Sequence, residues 1–271
     1  MIKAHQIIQD LAITGVISVQ VRRSKLRRRK KPGNIKWLLK ILAFLLIMFS
    51  LYSFVHSSFF SVSLIKVIGA KSVSDTDILA LSGLIKGENI FKIDREKAEE
   101  KISTHAMVAG VKVQKRFPRT IEVILEERIP AALIPISGGF MHIDMEGFVL
   151  RKDNQLNIEP LPIITGLDLP NTMTVGEKIN SEKLDVGLKM IEQMDQEAKE
   201  VIAEINVFDS QKLKAFTVQG TEVRLGNGEN FQEKFGKFLL VLKEEEKRDR
   251  LGDIEYIDLS LSGRPVVCYR K

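Results

Sequence analysis

The chain has 271 residues, of which 44% are hydrophobic and 28% charged; this excludes a disordered chain and leaves room for one large or two small folded domains. The net charge of +6 is more than accounted for by one run, Arg22, Arg23, Lys25, Arg27, Arg28, Arg29, Lys30 and Lys31, so the remainder is near neutral and the charge is no argument for nucleic-acid binding. The single cysteine, Cys268, excludes an intrachain disulfide and cysteine-based zinc sites of the usual spacing.

In chain order, a basic tail over residues 1–36 leads into an apolar stretch over 37–60, WLLKILAFLLIMFSLYSFVHSSFF. Residues 41–55 carry no charge, and Lys40 lies near enough to the end to snorkel. Trp37 and Tyr52 suit an interface. A buried helix of a soluble protein needs fewer apolar residues, and a cleaved signal has a shorter core and a small-residue cleavage site. The stretch is therefore read as one uncleaved transmembrane helix. The basic flank precedes it, and Lys66 is the first cation after it, so the N-terminus is expected in the cytoplasm and the rest outside.

Beyond the span, residues 63–70 read as a strand closed by Gly69. Ser74 to Asp77 has the form of a capping box and opens a helix that Gly83 ends. Asp94 is an N-cap for a second helix, with Ala98, Ile102 and Ala106 on one face. Val111 and Val113, then Ile121, Val123 and Leu125, alternate with polar residues on either side of an Arg116-Phe117-Pro118-Arg119 turn, giving two strands. The order is strand, helix, helix, strand, strand.

That order, with FSVSLIKVIGAKSVSDTDILALSGL, ENIFKID and VAGVKVQKRFPRTIEVILEERIPAAL, resembles a POTRA (polypeptide-transport-associated) domain. With one preceding span, the chain resembles the FtsQ/DivIB family of bacterial cell-division proteins. The KRFPRT turn and the ERIPAA strand end are the most specific part.

In the distal segment, residues 140–150 read as two strands around Asp144-Met145-Glu146-Gly147, similar to a "vD..G.vf" hairpin of the family, and residues 161–166 resemble its "LP.i.G" segment. A helix over 181–193, a strand over 202–208, a hairpin over 215–225 and a helix over 231–246 follow. The chain closes with strands over 254–260 and 265–271. Within the second helix, Glu244, Glu245 and Glu246 with Lys243 and Lys247 read as a solvated face.

A terminal strand at a sheet edge shows unpaired backbone groups that another chain can pair with. The resemblance implies that this edge receives an FtsB-like partner through Ser262, Gly263, Val266, Val267, Cys268 and Tyr269, together with exposed positions of the 231–246 helix. Tyr256-Ile257-Asp258-Leu259 follows the family's aromatic-Val-Asp-Leu pattern, whereas Ser260 stands where a basic residue is often found, so no ionic contact is assigned there. The same residues read without a partner simply close the fold.

The histidines His5, His56, His105 and His142 are scattered, and no G-x-S-x-G or H-E-x-x-H occurs. Gly226-Asn227-Gly228 lacks the Lys-Ser/Thr of a phosphate loop. The expectation is therefore a non-enzymatic α+β protein without metal or cofactor. It has an N-terminal transmembrane helix, a POTRA-like β-α-α-β-β domain over 61–130, and a β-rich, mixed α/β domain over 131–271 with an antiparallel sheet that ends in an edge strand. The resemblance implies membrane-anchored division partners (FtsB/DivIC-like and FtsL-like), the lipid bilayer, and location at the septum of the cell membrane, with no nucleic acid and no small-molecule substrate. The alternatives are a transport or assembly module, which would more usually repeat its POTRA unit, and an exported cell-wall enzyme.

Overall fold

The computed structural model describes residues 35–154, 160–170, 172–261 and 263–270. The basic run of the tail lies outside the described residues. Helix α1, Ile35–Val55, has 21 residues, which at 1.5 Å per residue span about 31 Å, the thickness of a hydrocarbon core. Apart from Lys36 and Lys40 near its start it is uncharged, and none of its residues is buried in the protein, which is consistent with a helix that crosses a membrane. The helix stops at Val55, short of residue 60, and Ser58–Phe60 forms a separate 3-10 turn. The polar run His56-Ser57-Ser58 explains the break, since serine hydroxyls compete for helix backbone groups.

Residues from Val55 onward form a second compact unit. Its first sheet is built from β1 (Leu64–Ile68), β2 (Val108–Arg116) and β3 (Thr120–Glu127), in the order β1-β3-β2. Strand β1 runs parallel to β3, with Ile65 opposite Ile121 and Val67 opposite Val123. Strands β2 and β3 form the antiparallel hairpin. Helices α2 (Asp75–Ser82) and α3 (Arg95–Ser103) supply Ile78, Ala98 and Ile102 to a core shared with Val113, Ile121, Val123 and Leu125. Ser74 caps α2 by accepting from the Thr76 N–H at 3.2 Å rather than from Asp77, whose N–H goes to the Ser74 carbonyl at 3.1 Å. Asp94 caps α3 by accepting from the Lys97 N–H at 3.1 Å.

Gly69 closes β1 because nothing larger fits: its φ is 94°, and a Cβ there would lie 2.2 Å from the Leu125 carbonyl oxygen. The chain then turns over Glu127. This carboxylate accepts from the N–H groups of Lys71 (2.6 Å), Ser72 (3.0 Å) and Val73 (3.0 Å). Partial burial works against its charge, but the three donors prevail and hold its pKa below the ordinary 4.5. A carboxylate depressed in the folded state stabilises above its unfolded pKa, and that contribution is lost as pH falls through the folded value. Thermal unfolding followed between about pH 6 and pH 3 is expected to show this loss. In Glu127→Gln the pH dependence from this site disappears, and stability near pH 7 falls by about 1 kcal/mol.

The second sheet has nine strands, in the order β12-β11-β10-β9-β8-β7-β4-β5-β6. They are β4 (Ala132–Ile136), β5 (Gly139–Ile143), β6 (Val149–Asp153), β7 (Ile163–Thr165), β8 (Ile202–Asn206), β9 (Leu213–Thr217), β10 (Glu222–Gly226), β11 (Ile254–Asp258) and β12 (Val266–Tyr269). Contrary to the expected antiparallel sheet, it is mixed: β4–β7, β7–β8 and β10–β11 are parallel. Helices α4 (Glu182–Gln193), α5 (Gln196–Val201) and α6 (Phe231–Lys247) feed Leu184, Leu188, Ala198, Phe231, Phe235 and Phe238 into one core with Ile205, Ala215, Val223 and Ile257. The LP.i.G glycine, Gly166, has φ 82°, and a Cβ there would meet the Phe208 backbone nitrogen at 2.4 Å. Only glycine lets β7 and the end of β8 approach this closely.

One arginine links the two sheets. Arg128 follows β3, and its Nη1 donates to Asp144 Oδ2 at 2.6 Å and Glu146 Oε2 at 2.8 Å. Its guanidinium lies 3.8 Å from the centroid of the Phe148 ring. Asp144 Oδ1 in turn accepts from the N–H groups of Glu146 and Phe148, which shapes the β5–β6 turn. The Arg of the ERIPAA motif and the Asp of the hairpin motif are therefore partners.

Candidate partner-binding edge

The two sheets present four outer edges. At β2, the Val113 N–H donates to the Glu99 carboxylate of α3 at 2.6 Å, which blocks that backbone group. At β6, the segment 176–179 lies alongside: the Val149 N–H reaches the Glu177 carbonyl (2.9 Å) and the Gly176 N–H reaches the Val149 carbonyl (2.7 Å). At β1, exposed Lys66 sits in the middle of the strand, a charge that discourages strand addition. Strand β12, Val-Val-Cys-Tyr, carries no charge within its length, and no described strand pairs with its outer side.

The direction of its backbone groups follows from its pairing with β11. Val266, Val267, Cys268 and Tyr269 lie opposite Asp258, Ile257, Tyr256 and Ile254, with one irregularity on the β11 side. The Arg270 N–H donates to the Asp253 carbonyl at 2.7 Å. Backbone groups alternate in direction along an antiparallel strand. Residues 266, 268 and 270 therefore face β11, and the N–H and C=O groups of Val267 and Tyr269 face outward.

Side chains alternate as well. Val267 packs against the large core, and Tyr269 points to the same side, toward α6. Val266 is 57% exposed on the other side, and Cys268 Sγ lies 3.9 Å from Glu255 Oε2. Next to Cys268 and Val266 on that side, Arg224 stacks on Tyr256 with 3.6 Å to the ring centroid. Arg224 also pairs with Glu222 at 2.7 Å. Burial opposes the Glu222 charge, yet the bonds from Arg224 and Lys214 hold its pKa below the ordinary range.

Helix α6 runs past the terminal segment and is bonded to its start. Near its start, Lys237 Nζ donates to the Gly263 carbonyl at 3.1 Å. Near its end is Glu245, and here the expectation of a solvated acidic face is corrected. Glu244 is exposed and pairs with Lys247, but Glu245 is buried. It continues the Phe231, Phe235, Phe238, Leu242 stripe at helical spacing, which brings it to the core side. Its carboxylate meets Arg248 Nη1 at 3.1 Å and Arg250 Nε at 3.7 Å. Burial, followed by the nearby Glu245 carboxylate, raises the Tyr269 pKa. The acid is thus buried near the strand's end, a position the Glu-rich run did not disclose. Leu240, one turn beyond Lys237, is exposed.

Of the residues expected at the site, Val266, Val267, Cys268 and Tyr269 form β12, and Gly263 lies before it, held by Lys237. Ser262 lies outside the described residues. Between Gly263 and the start of α6 is a cleft of about 410 Å³, lined by Asn227, Glu233, Lys237, Leu261 and Pro265 among others.

The chain matches two family models: "POTRA domain, FtsQ-type" over residues 60–128, and "Cell division protein FtsQ/DivIB, C-terminal" over residues 132–260. The second match ends before β12, so the reading of that strand rests on its geometry. The cell-division protein FtsQ of Syntrophotalea carbinolica is 26% identical over 216 residues, which are 78% of this chain and 74% of the relative. The cell-division protein DivIB of Clostridium tetani is 26% identical over 77% of this chain and 79% of the relative. The FtsQ of Corynebacterium glutamicum is 31% identical over 68% of this chain and 79% of the relative. With that identity over most of a division protein's length, and with both sheets matched by FtsQ-type models, the chain belongs to the FtsQ/DivIB family of non-enzymatic cell-division proteins.

Proposed function

We propose that this protein is an anchored binding subunit of the division machinery, which links septal cell-wall synthesis to other membrane-anchored division proteins. In this reading α1 crosses the cell membrane once, with the basic tail in the cytoplasm. The folded unit stands outside and captures an extended segment of an FtsB/DivIC-like partner on β12, with an FtsL-like protein in the same assembly. The division of labour follows the expected domains, with the span drawn in to α1, Ile35–Val55: the basic tail before it, the POTRA-like domain over 61–130 and the capture domain over 131–271.

The observation that carries the reading is the outward row of backbone groups at Val267 and Tyr269 on an uncharged terminal strand. Strand addition takes its affinity from such groups and its specificity from alternate side chains, here exposed Val266 and its neighbours. The role is tested by a fluorescent fusion to the N-terminus of the full chain. It is expected to gather in a ring at mid-cell; uniform staining of the envelope would contradict the division role.

A further inference from the structure

The first residues of the folded unit, those that follow α1 in the chain, begin an aromatic ladder. The rings of Phe59 and Phe60 are 5.0 Å apart, those of Phe60 and Phe91 are 5.0 Å apart, and those of Phe91 and Phe117 are 5.2 Å apart. Phe59, Phe91 and Phe117 are 52%, 47% and 57% exposed. Three separate segments bring them together. The Ile90 N–H donates to the Phe60 carbonyl at 2.8 Å, the Val62 N–H to the Glu88 carbonyl at 2.8 Å, and the Ser63 N–H to the Arg119 carbonyl at 2.9 Å. Phe117 itself tops the β2–β3 turn, where no core requires it.

Cations neighbour the rings in the sequence. Lys86 and Lys92 flank the 85–92 loop, and Arg116 and Arg119 flank Phe117. Against them stand Glu88 and Glu122, the latter paired with Arg116 at 2.8 Å. Exposed aromatics with neighbouring Lys and Arg are the composition of surfaces that sit at the boundary of headgroups and acyl chains. Covalent continuity selects the occupant. Phe59 is four residues past Val55, the last residue of α1, so the chain can carry it no more than about 14 Å from the helix end. With α1 across a membrane, Phe59 is tethered near the bilayer surface, where even a weak attraction acts at high effective concentration.

We propose that Phe59, Phe91 and Phe117, with Lys86, Lys92, Arg116 and Arg119, form a footing that seats this end of the folded unit in the headgroup layer of an anionic bilayer. The footing fixes the tilt of the unit, and so the height at which β12 is offered to a partner. It rests on α1 crossing the membrane, and the test separates the two claims.

The full chain is placed in nanodiscs of anionic lipid carrying a shallow spin-label quencher or a deep one. Trp37, the single tryptophan, reports insertion of α1: it must be quenched, whatever the footing does. In a Trp37→Phe background, Phe117→Trp is expected to be quenched by the shallow label several-fold more than Phe208→Trp, placed at an exposed phenylalanine of the large-sheet domain. Adding Lys86→Glu and Lys92→Glu is expected to halve that quenching or more in anionic discs. Equal quenching at positions 117 and 208 with Trp37 quenched would overturn the footing, as would quenching indifferent to the two charge reversals. Self-association that protects position 117 without lipid quenching would show a second copy as the occupant and would also overturn it.

Discussion

Val267→Pro is expected to leave the protein folded and to weaken partner capture by about 2–4 kcal/mol, roughly 30- to 1,000-fold. Proline removes the Val267 N–H, which faces away from β11, so no bond inside the sheet is lost. The cost falls on the incoming strand: one backbone bond disappears, a carbonyl is stranded and the proline ring obstructs the edge. Val266→Pro is the control, because its N–H faces β11. It should lower the unfolding midpoint while leaving the outer row of bonds in place. Binding of a purified partner to the two folded variants, together with their thermal unfolding, checks the pair. If Val267→Pro binds as the native chain does, the capture reading of the edge is wrong. If Val266→Pro leaves stability untouched, the assignment of inward and outward residues is wrong.

Arg128→Ala is expected to destabilise the folded unit by about 3–5 kcal/mol, the usual cost of removing one partner of a buried ion pair. The arginine side chain is 12% exposed and that of Asp144 is 7% exposed, so truncation leaves a carboxylate with little water to replace the lost donor. The stacking on Phe148 is lost as well. Burial alone would lower the arginine's pKa, but its bonds to Glu146 and Asp144 raise it, so it stays charged throughout the accessible range. For a unit of this size the midpoint should fall by about 10 °C. Asp144→Asn, which keeps the oxygen that shapes the hairpin turn, should cost less. An Arg128→Ala protein within about 1 kcal/mol of the native chain would show that the junction is held elsewhere.

Much of this architecture could be read from residue spacing. Ile121, Val123 and Leu125 alternate in sequence and are buried in the fold, and Asp94 caps the helix it precedes. Strand β4 was not legible: its Ala-Leu-Ile is buried on both faces, so the alternation that marks a half-buried strand is missing, and Pro135 suggests a break. The proline is tolerated because the pairing of β4 with β7 is confined to Leu133 opposite Ile163. Helix α5 spans only six residues, too few to establish a period. The parallel pairs depend on long crossovers, which local pattern does not encode.

At the site, the edge strand was legible as four uncharged residues between Pro265 and Arg270. What makes it distinctive was not. Two of the other three edges are closed by groups distant in sequence, Glu99 at β2 and Glu177 at β6. Likewise, the ERIPAA and hairpin motifs each stood out alone, but their shared physical reason, the Arg128–Asp144 bond, appears only in three dimensions.

The central claim is that β12 is completed by a strand from another chain. Residue-resolved amide exchange on the full chain, alone and bound to its division partner, tests it most directly. Val267 and Tyr269 should slow strongly on binding, while Val266 and Cys268, already bonded within the sheet, should change little. Protection that falls instead on the three-stranded sheet, with Val267 and Tyr269 exchanging as in the free protein, would contradict it.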